Sequence, residues 1–157
     1  MTVVIADTSP LNYLILIGDV DVLHQMYSTI IIPVEVLHEL TAAGAPAPVA
    51  SWIQNKPAWI EIRTASAGIR PHLSDDLDSG ELAAILLALH EPDALLLIDE
   101  AAGRNAASGL GLANTGTLGV LVAAGGAGLI DLTASLARLQ ATNFRVSQSL
   151  LNRLLDQ

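Results

Sequence analysis

The sequence predicts an α/β protein in which a central, mostly parallel sheet lies between two layers of helices, a three-layer α/β/α sandwich. Apolar runs suited to strands alternate along the chain with segments whose apolar residues have helical spacing. Two of these runs, within 2–7 and over 94–98, are apolar throughout, as is typical of parallel strands covered on both faces. The 157 residues are 52% hydrophobic but only 3% aromatic, which indicates an aliphatic core of about one domain.

The first half of the chain opens with a predicted strand and helix. The strand over 2–7 precedes Ser9 and Pro10, residue types favoured at the N-cap and first position of a helix that extends to about Ile17. The other elements predicted in this half are a short helix to Tyr27 capped by Asp19 or Asp21, a strand over 29–32, helices over 33–43 and 49–55, and an edge or half-buried strand over 58–64.

The second half continues the alternation after a loop predicted over 65–78. Asp78 or Ser79 can cap the next helix, and Pro92 stops it soon after its end. The predicted elements are a helix over 79–90, a strand over 94–98, a helix over 100–108, a short strand within 109–115, and helices over 117–124, 132–142 and 147–156. We therefore expect a single domain over 1–157, with the C-terminal helices at about 132–156 packing on it or forming an interface.

Composition limits the chemistry that the chain can carry. It has no cysteine, so disulfides and thiolate metal sites are excluded, and any metal must be bound by oxygen or imidazole ligands. The 16 acidic and 7 basic residues give a net charge of −9, which opposes nonspecific attraction to nucleic acid. No stretch reaches the ~20 apolar residues needed to cross a bilayer. We expect a soluble, cytoplasmic protein.

Four acidic residues are the candidate catalytic and metal-binding residues. Asp7 and Asp99 each end an apolar strand, and ligands of parallel sheets gather at the carboxyl ends of the strands. Glu81 at a helix start and Glu39 on a helix face are placed to join them. Four converging carboxylates would repel one another unless a cation neutralised them, and oxygen ligands favour Mg²⁺ or Mn²⁺. Such an ion would also bridge an acidic protein to a phosphate backbone and could activate water for hydrolysis.

Each acid also has a purely structural explanation. An Asp that ends a strand is commonly a turn former or a helix cap, Glu81 could complement a helix dipole, and Glu39 could lie on a solvated face. A noncatalytic module for binding or assembly therefore stays open. A phosphoryl-transfer domain is less well supported, because the position two residues after Asp7 is Ser9 and Lys56 is the only lysine.

Four further residues are candidates for substrate binding or for support of the acids. Ser9 could hydrogen-bond a carboxylate or metal-bound water, or simply cap a helix. Thr115 and Thr117 flank a strand-to-helix turn whose N–H groups could receive a phosphate, although capping alone would explain them. Arg104, five residues after Asp99, could neutralise a substrate phosphate or form a structural salt bridge with the acids.

Five segments resemble the PIN-domain family, particularly its VapC-like branch of nucleic-acid-binding proteins. They are VIADTSPL, IPVEVLHEL, LDSGELAAILLAL, LLLIDEAAGR and NTGTLGVL, in the order and spacing of that family and over nearly the whole chain. The resemblance assigns the family's four acids to Asp7, Glu39, Glu81 and Asp99. The third acid of the family is commonly Asp, so Asp78 competes with Glu81.

The resemblance implies a function more specific than the residues alone support. It implies a Mg²⁺- or Mn²⁺-dependent endoribonuclease, in which an activated water attacks an RNA phosphodiester and no protein nucleophile takes part. Such proteins are often the toxin of a VapBC-like pair whose small antitoxin blocks the site, and they commonly form homodimers. The residues themselves indicate only a carboxylate metal centre.

Overall fold

The computed structural model describes residues 2–65, 73 and 75–156. The strands within these ranges are β1 (Val4–Ala6), β2 (Ile30–Pro33), β3 (Ile60–Arg63), β4 (Leu95–Leu97) and β5 (Ala113–Thr115). The helices are α1 (Thr8–Leu16), α2 (Val22–Met26), α3 (Val34–Leu40), α4 (Ala47–Gln54), α5 (Ser79–Ala88), α6 (Ala101–Gly109), α7 (Thr117–Gly126), α8 (Leu132–Gln140) and α9 (Gln148–Leu155). The predicted order of strands and helices is thus observed.

The five strands form one sheet in the order β3-β2-β1-β4-β5, and every neighbouring pair is parallel. In the central strand, Ile5 lies opposite Ile31 on one side and Leu96 on the other. The chain order reverses across β1, since β2 and β3 lie on one side of it and β4 and β5 on the other. This reversal places the carboxyl ends of β1 and β4 side by side at the position where parallel sheets usually bind ligands.

Two cores cover the two faces of the sheet, as the alternation of side chains along each strand requires. Val4 and Ala6 belong to a core formed with α1 to α4 and α7 to α9, whereas Ile5 belongs to a second core formed with α5 and α6. Both core sets are aliphatic and fully or nearly fully buried. The predicted three-layer α/β/α sandwich is therefore confirmed.

Several boundaries differ from those predicted. Helix α1 begins at Thr8 with Asp7 as its N-cap, so the prediction that Ser9 caps this helix is wrong. Pro33 ends β2 and is itself the N-cap of α3, because its fixed φ suits extended backbone immediately before a helix. Helix α3 is four residues shorter than the predicted 33–43, one at its start and three at its end. The loop predicted over 65–78 lies in part outside the described residues.

The leucine-rich stripes at both ends of the chain contribute to the core. Leu11, Leu14 and Ile17 are buried, and Leu136, Leu139 and Leu151 from α8 and α9 join the same cluster. Ser147 caps α9 as predicted, since its hydroxyl accepts a hydrogen bond from the Leu150 N–H. In the described part of the chain, no helix is both long and apolar enough to cross a membrane.

Candidate metal centre

A small acidic pocket of about 220 Å³ opens beside the carboxyl end of β1. Four carboxylates line it, and we call this cavity the carboxylate pocket; they belong to Asp7, Glu39, Asp78 and Glu100. The start of α1 supplies the other lining residues, which are Thr8, Ser9, Asn12 and Tyr13. Among the described residues no cationic side chain lines this pocket, and a bound ion or protons could supply the neutralising charge.

Asp7 is the most deeply buried acid in the pocket, with only 4% of its surface exposed. Its backbone N–H donates to the Leu97 carbonyl (2.9 Å), which fixes the position of the residue between β1 and β4. Its Oδ1 is buried and has no hydrogen-bond partner among the described residues. Burial, followed by repulsion from Asp78, Glu81 and Glu39, raises the pKa of Asp7 to about 7, although the Thr8 N–H partly opposes this rise.

Glu39 reaches the same pocket from α3. The Thr8 hydroxyl donates to its Oε2 (2.7 Å), which leaves Oε1 free to face Asp7. A Cβ at Gly80 would lie 2.9 Å from Glu39 Oε1 and 3.1 Å from Asp7 Oδ1, so the two oxygens are separated by no more than the sum of these distances. A side chain at position 80 would therefore crowd both carboxylates and require the Glu39 carboxylate to shift.

Asp78 and Glu81 form a reciprocal capping box at the start of α5. The Glu81 N–H donates to Asp78 Oδ1 (2.8 Å), and the Asp78 N–H donates to Glu81 Oε1 (3.0 Å). Glu81 is only 3% exposed and its Oε2 has no partner. Burial and the nearby Asp78 and Glu100 carboxylates raise its pKa. Asp78 lines the carboxylate pocket directly, whereas Glu81 lies behind it, with Oε2 beside Gly103 of α6.

Asp99 has a different environment from the other predicted acids. Its Oδ1 accepts the Thr117 N–H (2.7 Å), and its Oδ2 accepts the hydroxyls of Ser9 (2.6 Å) and Thr117 (2.8 Å). Asp99 therefore caps α7 from a neighbouring loop, and a Cβ at Gly116 would lie only 2.6 Å from its Oδ1. It does not line the carboxylate pocket; the next residue, Glu100, does.

The supporting residues predicted from sequence have mostly structural contacts. Ser9 binds a carboxylate, one of its two predicted roles. Arg104 donates to the backbone carbonyl of Asp99, and it forms no ion pair with any described carboxylate, so the expected salt bridge with the acids is not formed. The Thr117 N–H is occupied by Asp99 and its side chain is fully buried, so it is not open to a phosphate. Thr115 lines a neighbouring groove.

The donor chemistry of the carboxylate pocket fits a hard divalent ion. Across the described ranges, no group of three or more Asp, Glu or His side chains is already arranged as a metal site. Nevertheless, the unpartnered Oδ1 of Asp7 and the Oε1 of Glu39 face a common point, and Asp78 borders the same cavity. Oxygen ligands of this kind match the chemistry of Mg²⁺ or Mn²⁺.

Four lining residues of the pocket were not singled out from the sequence, namely Thr8, Asn12, Tyr13 and Glu100. Glu100 follows a stronger candidate, Asp99, and nothing in the sequence tells which of two adjacent acids faces a cavity. Asn12 and Tyr13 lie three and four residues after Ser9 in α1. This helical spacing places them on the same face as Ser9, and it could have identified them as lining residues. Tyr13 hydrogen-bonds the Asn143 side chain (2.7 Å), a contact across 130 positions that spacing cannot predict.

The amino-acid sequence was compared with protein-family models, with curated proteins and with solved structures. A family model described as a PIN domain matches residues 3–157, and the chain therefore belongs to the PIN-domain family. PIN domains are generally nucleases, so the family supports a hydrolase that acts on nucleic acid. A search of curated proteins gave no significant match, and neither did a search of solved structures.

Proposed function

We propose that this protein is a Mg²⁺- or Mn²⁺-dependent endoribonuclease. The observation that carries the proposal is the buried Asp7 carboxylate, whose Oδ1 has no partner among the described residues, beside Glu39 and Asp78 at the carboxyl end of the central strand. An uncompensated cluster of this kind costs stability, which is expected of a site formed for a ligand. Membership of the PIN family supports nuclease chemistry, and the choice of RNA rests on the resemblance to the VapC-like branch.

In the proposed site, Asp7, Glu39 and the third acid would hold the ion. When bound, a divalent ion lowers the pKa of water and stabilises the oxygen that leaves the phosphate. Asp7 must release its proton before its carboxylate can serve as a ligand, because its pKa lies near 7 in the metal-free protein. Thr8 holds Glu39 in position, and Ser9 and Thr117 hold Asp99 at the edge of the site.

Cleavage assays on isosteric variants test this function. We expect wild type to cleave single-stranded RNA with Mg²⁺ or Mn²⁺ and to lose activity in EDTA. Asp7→Asn should reduce cleavage at least a hundredfold, whereas Asp93→Asn, which changes an exposed loop residue on the opposite end of the sheet, should not. Equal cleavage by wild type and Asp7→Asn, after nuclease-free controls, would refute the mechanism.

A second set of variants identifies the third acid. Asp78→Asn and Glu81→Gln both keep side chains that can form the capping box, so each removes charge without removing the cap. Because Asp78 borders the pocket, we expect its variant to weaken Mn²⁺ binding more than Glu81→Gln does. The reverse order would assign the third position to Glu81 as the family resemblance does.

The remaining family-level properties are part of the same proposal. The protein would be the cytoplasmic toxin of a VapBC-like pair, bound by a small antitoxin, and would form a homodimer. A neighbouring short reading frame whose product binds this chain and blocks RNA cleavage would support the toxin role. Light scattering that detected only monomer at micromolar concentration would refute the homodimer and leave the nuclease proposal intact.

A further inference from the structure

A second cavity adjoins the carboxylate pocket and has the opposite electrostatic character. This groove of about 650 Å³ lies between β5, α7 and α9, with Asp99 at one end. Its walls are largely apolar, formed by Leu118, Val122, Phe144 and Leu154, and two arginines line it, Arg104 and Arg145. We call it the Arg145 groove.

The carboxylate pocket and the Arg145 groove share a wall. The ring of Tyr13, which lines the pocket, packs edge-to-face on Phe144, which lines the groove, with centroids 4.9 Å apart at 81°. Ser9 of the pocket hydrogen-bonds Asp99 of the groove. The two cavities are therefore neighbours, separated by one aromatic pair.

The two arginines of this groove differ from Arg63 and Arg138 because they have no carboxylate partner among the described residues, a property that the exposed Arg153 of α9 shares. Arg63 and Arg138 are neutralised by ion pairs with Glu61, Glu91 and Asp19. In the part of the chain that the structure describes, Arg145 forms neither an ion pair nor a hydrogen bond, and Arg104 contacts only a carbonyl. With a net charge of −9, an unneutralised cation beside an apolar groove is complementary to a ligand that is anionic at one end and apolar at the other.

We propose that the Arg145 groove binds the nucleotide next to the cleaved phosphodiester, with its base against the apolar wall and its phosphate at Arg145. This inference rests on the proposed nuclease function and adds a substrate subsite to it. An unstacked base offers a flat apolar face, and its phosphate supplies the negative charge. The Asn114 Nδ2 donates to the Ser108 hydroxyl (3.0 Å) and the Leu112 carbonyl (3.1 Å), so its Oδ1 is the atom that can accept a hydrogen bond from a base edge. A base-paired nucleotide could not insert, so the groove predicts preference for single strands.

Two variants and one control separate this site from general electrostatics. Arg145→Gln removes the phosphate contact, and Val122→Phe fills the groove. Arg153→Gln is the matched control, because Arg153 is exposed on α9, does not line the groove, and has no partner in the described ranges. The probe is a fluorescein-labelled single-stranded oligoadenylate, its binding is measured by anisotropy in EDTA over a series of KCl concentrations, and circular dichroism checks that each variant folds.

The variants are expected to change the salt dependence of binding, the binding affinity and the KM for cleavage. Arg145→Gln should reduce the slope of log K against log salt by about 0.7, the value for one phosphate of a single strand, while Arg153→Gln leaves it unchanged. Val122→Phe should weaken binding by about 5- to 150-fold, the range for loss of one stacked base. In cleavage assays with Mn²⁺, both groove variants should raise KM more than they lower kcat, because they remove binding shared by ground and transition states.

Failure of this inference differs from failure of the proposed function. Suppose that wild type cleaves RNA and that both groove variants have the salt slope and the KM of wild type. The nucleotide subsite is then refuted, and a protein partner becomes the alternative occupant of the groove. The opposite result is that wild type does not cleave RNA, while Arg145→Gln reduces the slope of log K against log salt and Arg153→Gln does not. This result would refute the nuclease proposal and support the nucleotide-binding groove.

Discussion

The pKa of Asp7 predicts that the carboxylate pocket destabilises the metal-free protein at neutral and alkaline pH. Its folded-state pKa of about 7 lies above the ordinary value of 3.8. Below the lower value both the folded and the unfolded states are protonated, and between the two values only the unfolded state ionises. The free energy of unfolding therefore falls as the pH rises through this window, and the loss is complete above about pH 7. At about 1.4 kcal/mol per pKa unit, the penalty is on the order of 4 kcal/mol at pH 8 and about 2 kcal/mol at pH 5.5.

Asp7→Asn removes this penalty and should therefore stabilise the protein. Urea unfolding in EDTA is expected to give a free energy of unfolding higher than that of wild type by several kcal/mol at pH 8, and the gain should shrink by about half at pH 5.5. Asp93→Asn controls for the general effect of removing one negative charge from an acidic protein. A variant no more stable than wild type at pH 8, or a gain that does not change with pH, would refute the argument from burial and repulsion.

Three further substitutions test individual contacts. Gly80→Ala should lower the Mn²⁺ affinity measured by calorimetry at least tenfold, because its Cβ would crowd the carboxylates of Glu39 and Asp7. An affinity equal to that of wild type would show that these two acids do not bind the ion together. Ser9→Ala removes one of three hydrogen bonds to the Asp99 carboxylate and should reduce the free energy of unfolding by about 1 kcal/mol in urea titrations; an unchanged midpoint would mean that Thr117 alone suffices. Ser135→Ala leaves the Asp19 carboxylate without its buried hydroxyl donor (2.6 Å) and should cost about 1–3 kcal/mol by the same measurement, whereas a neutral result would show that Arg138 compensates.

The layers of the fold follow from the sequence because hydrophobic spacing determines them. The continuous apolar run at 94–98 becomes a strand buried on both faces, and the alternating segment at 58–64 becomes the edge strand β3. The first residue of a helix was less predictable. Both Asp7 and Ser9 are residue types favoured at the N-cap, and the direction of the chain as it leaves β1 decides which of them precedes α1.

The candidate site was predictable to the level of strand ends and helix faces. Asp7 and Glu39 lie together because their elements are adjacent, which the pattern of strands and helices indicates. Asp99 and Glu100 have different roles because Asp99 hydrogen-bonds the first turn of α7 whereas Glu100 lines the pocket, so the path of the backbone after β4 decides between them. Local sequence carries no information about that path. The Arg145 groove likewise depends on how α9 docks against α7.

Because Asp99 secures the first turn of α7, this carboxylate contributes to architecture as well as to any chemistry. An Asp99→Ala protein would leave the Thr117 amide and two hydroxyls unmatched and loosen the joint between the sheet and α7. Loss of cleavage by Asp99→Ala would therefore not show a catalytic role for Asp99 unless the melting temperature showed that the variant remained folded. Asp7→Asn, which should stabilise the protein, is the better variant for testing the proposed activity, because a loss of cleavage could not then be attributed to unfolding.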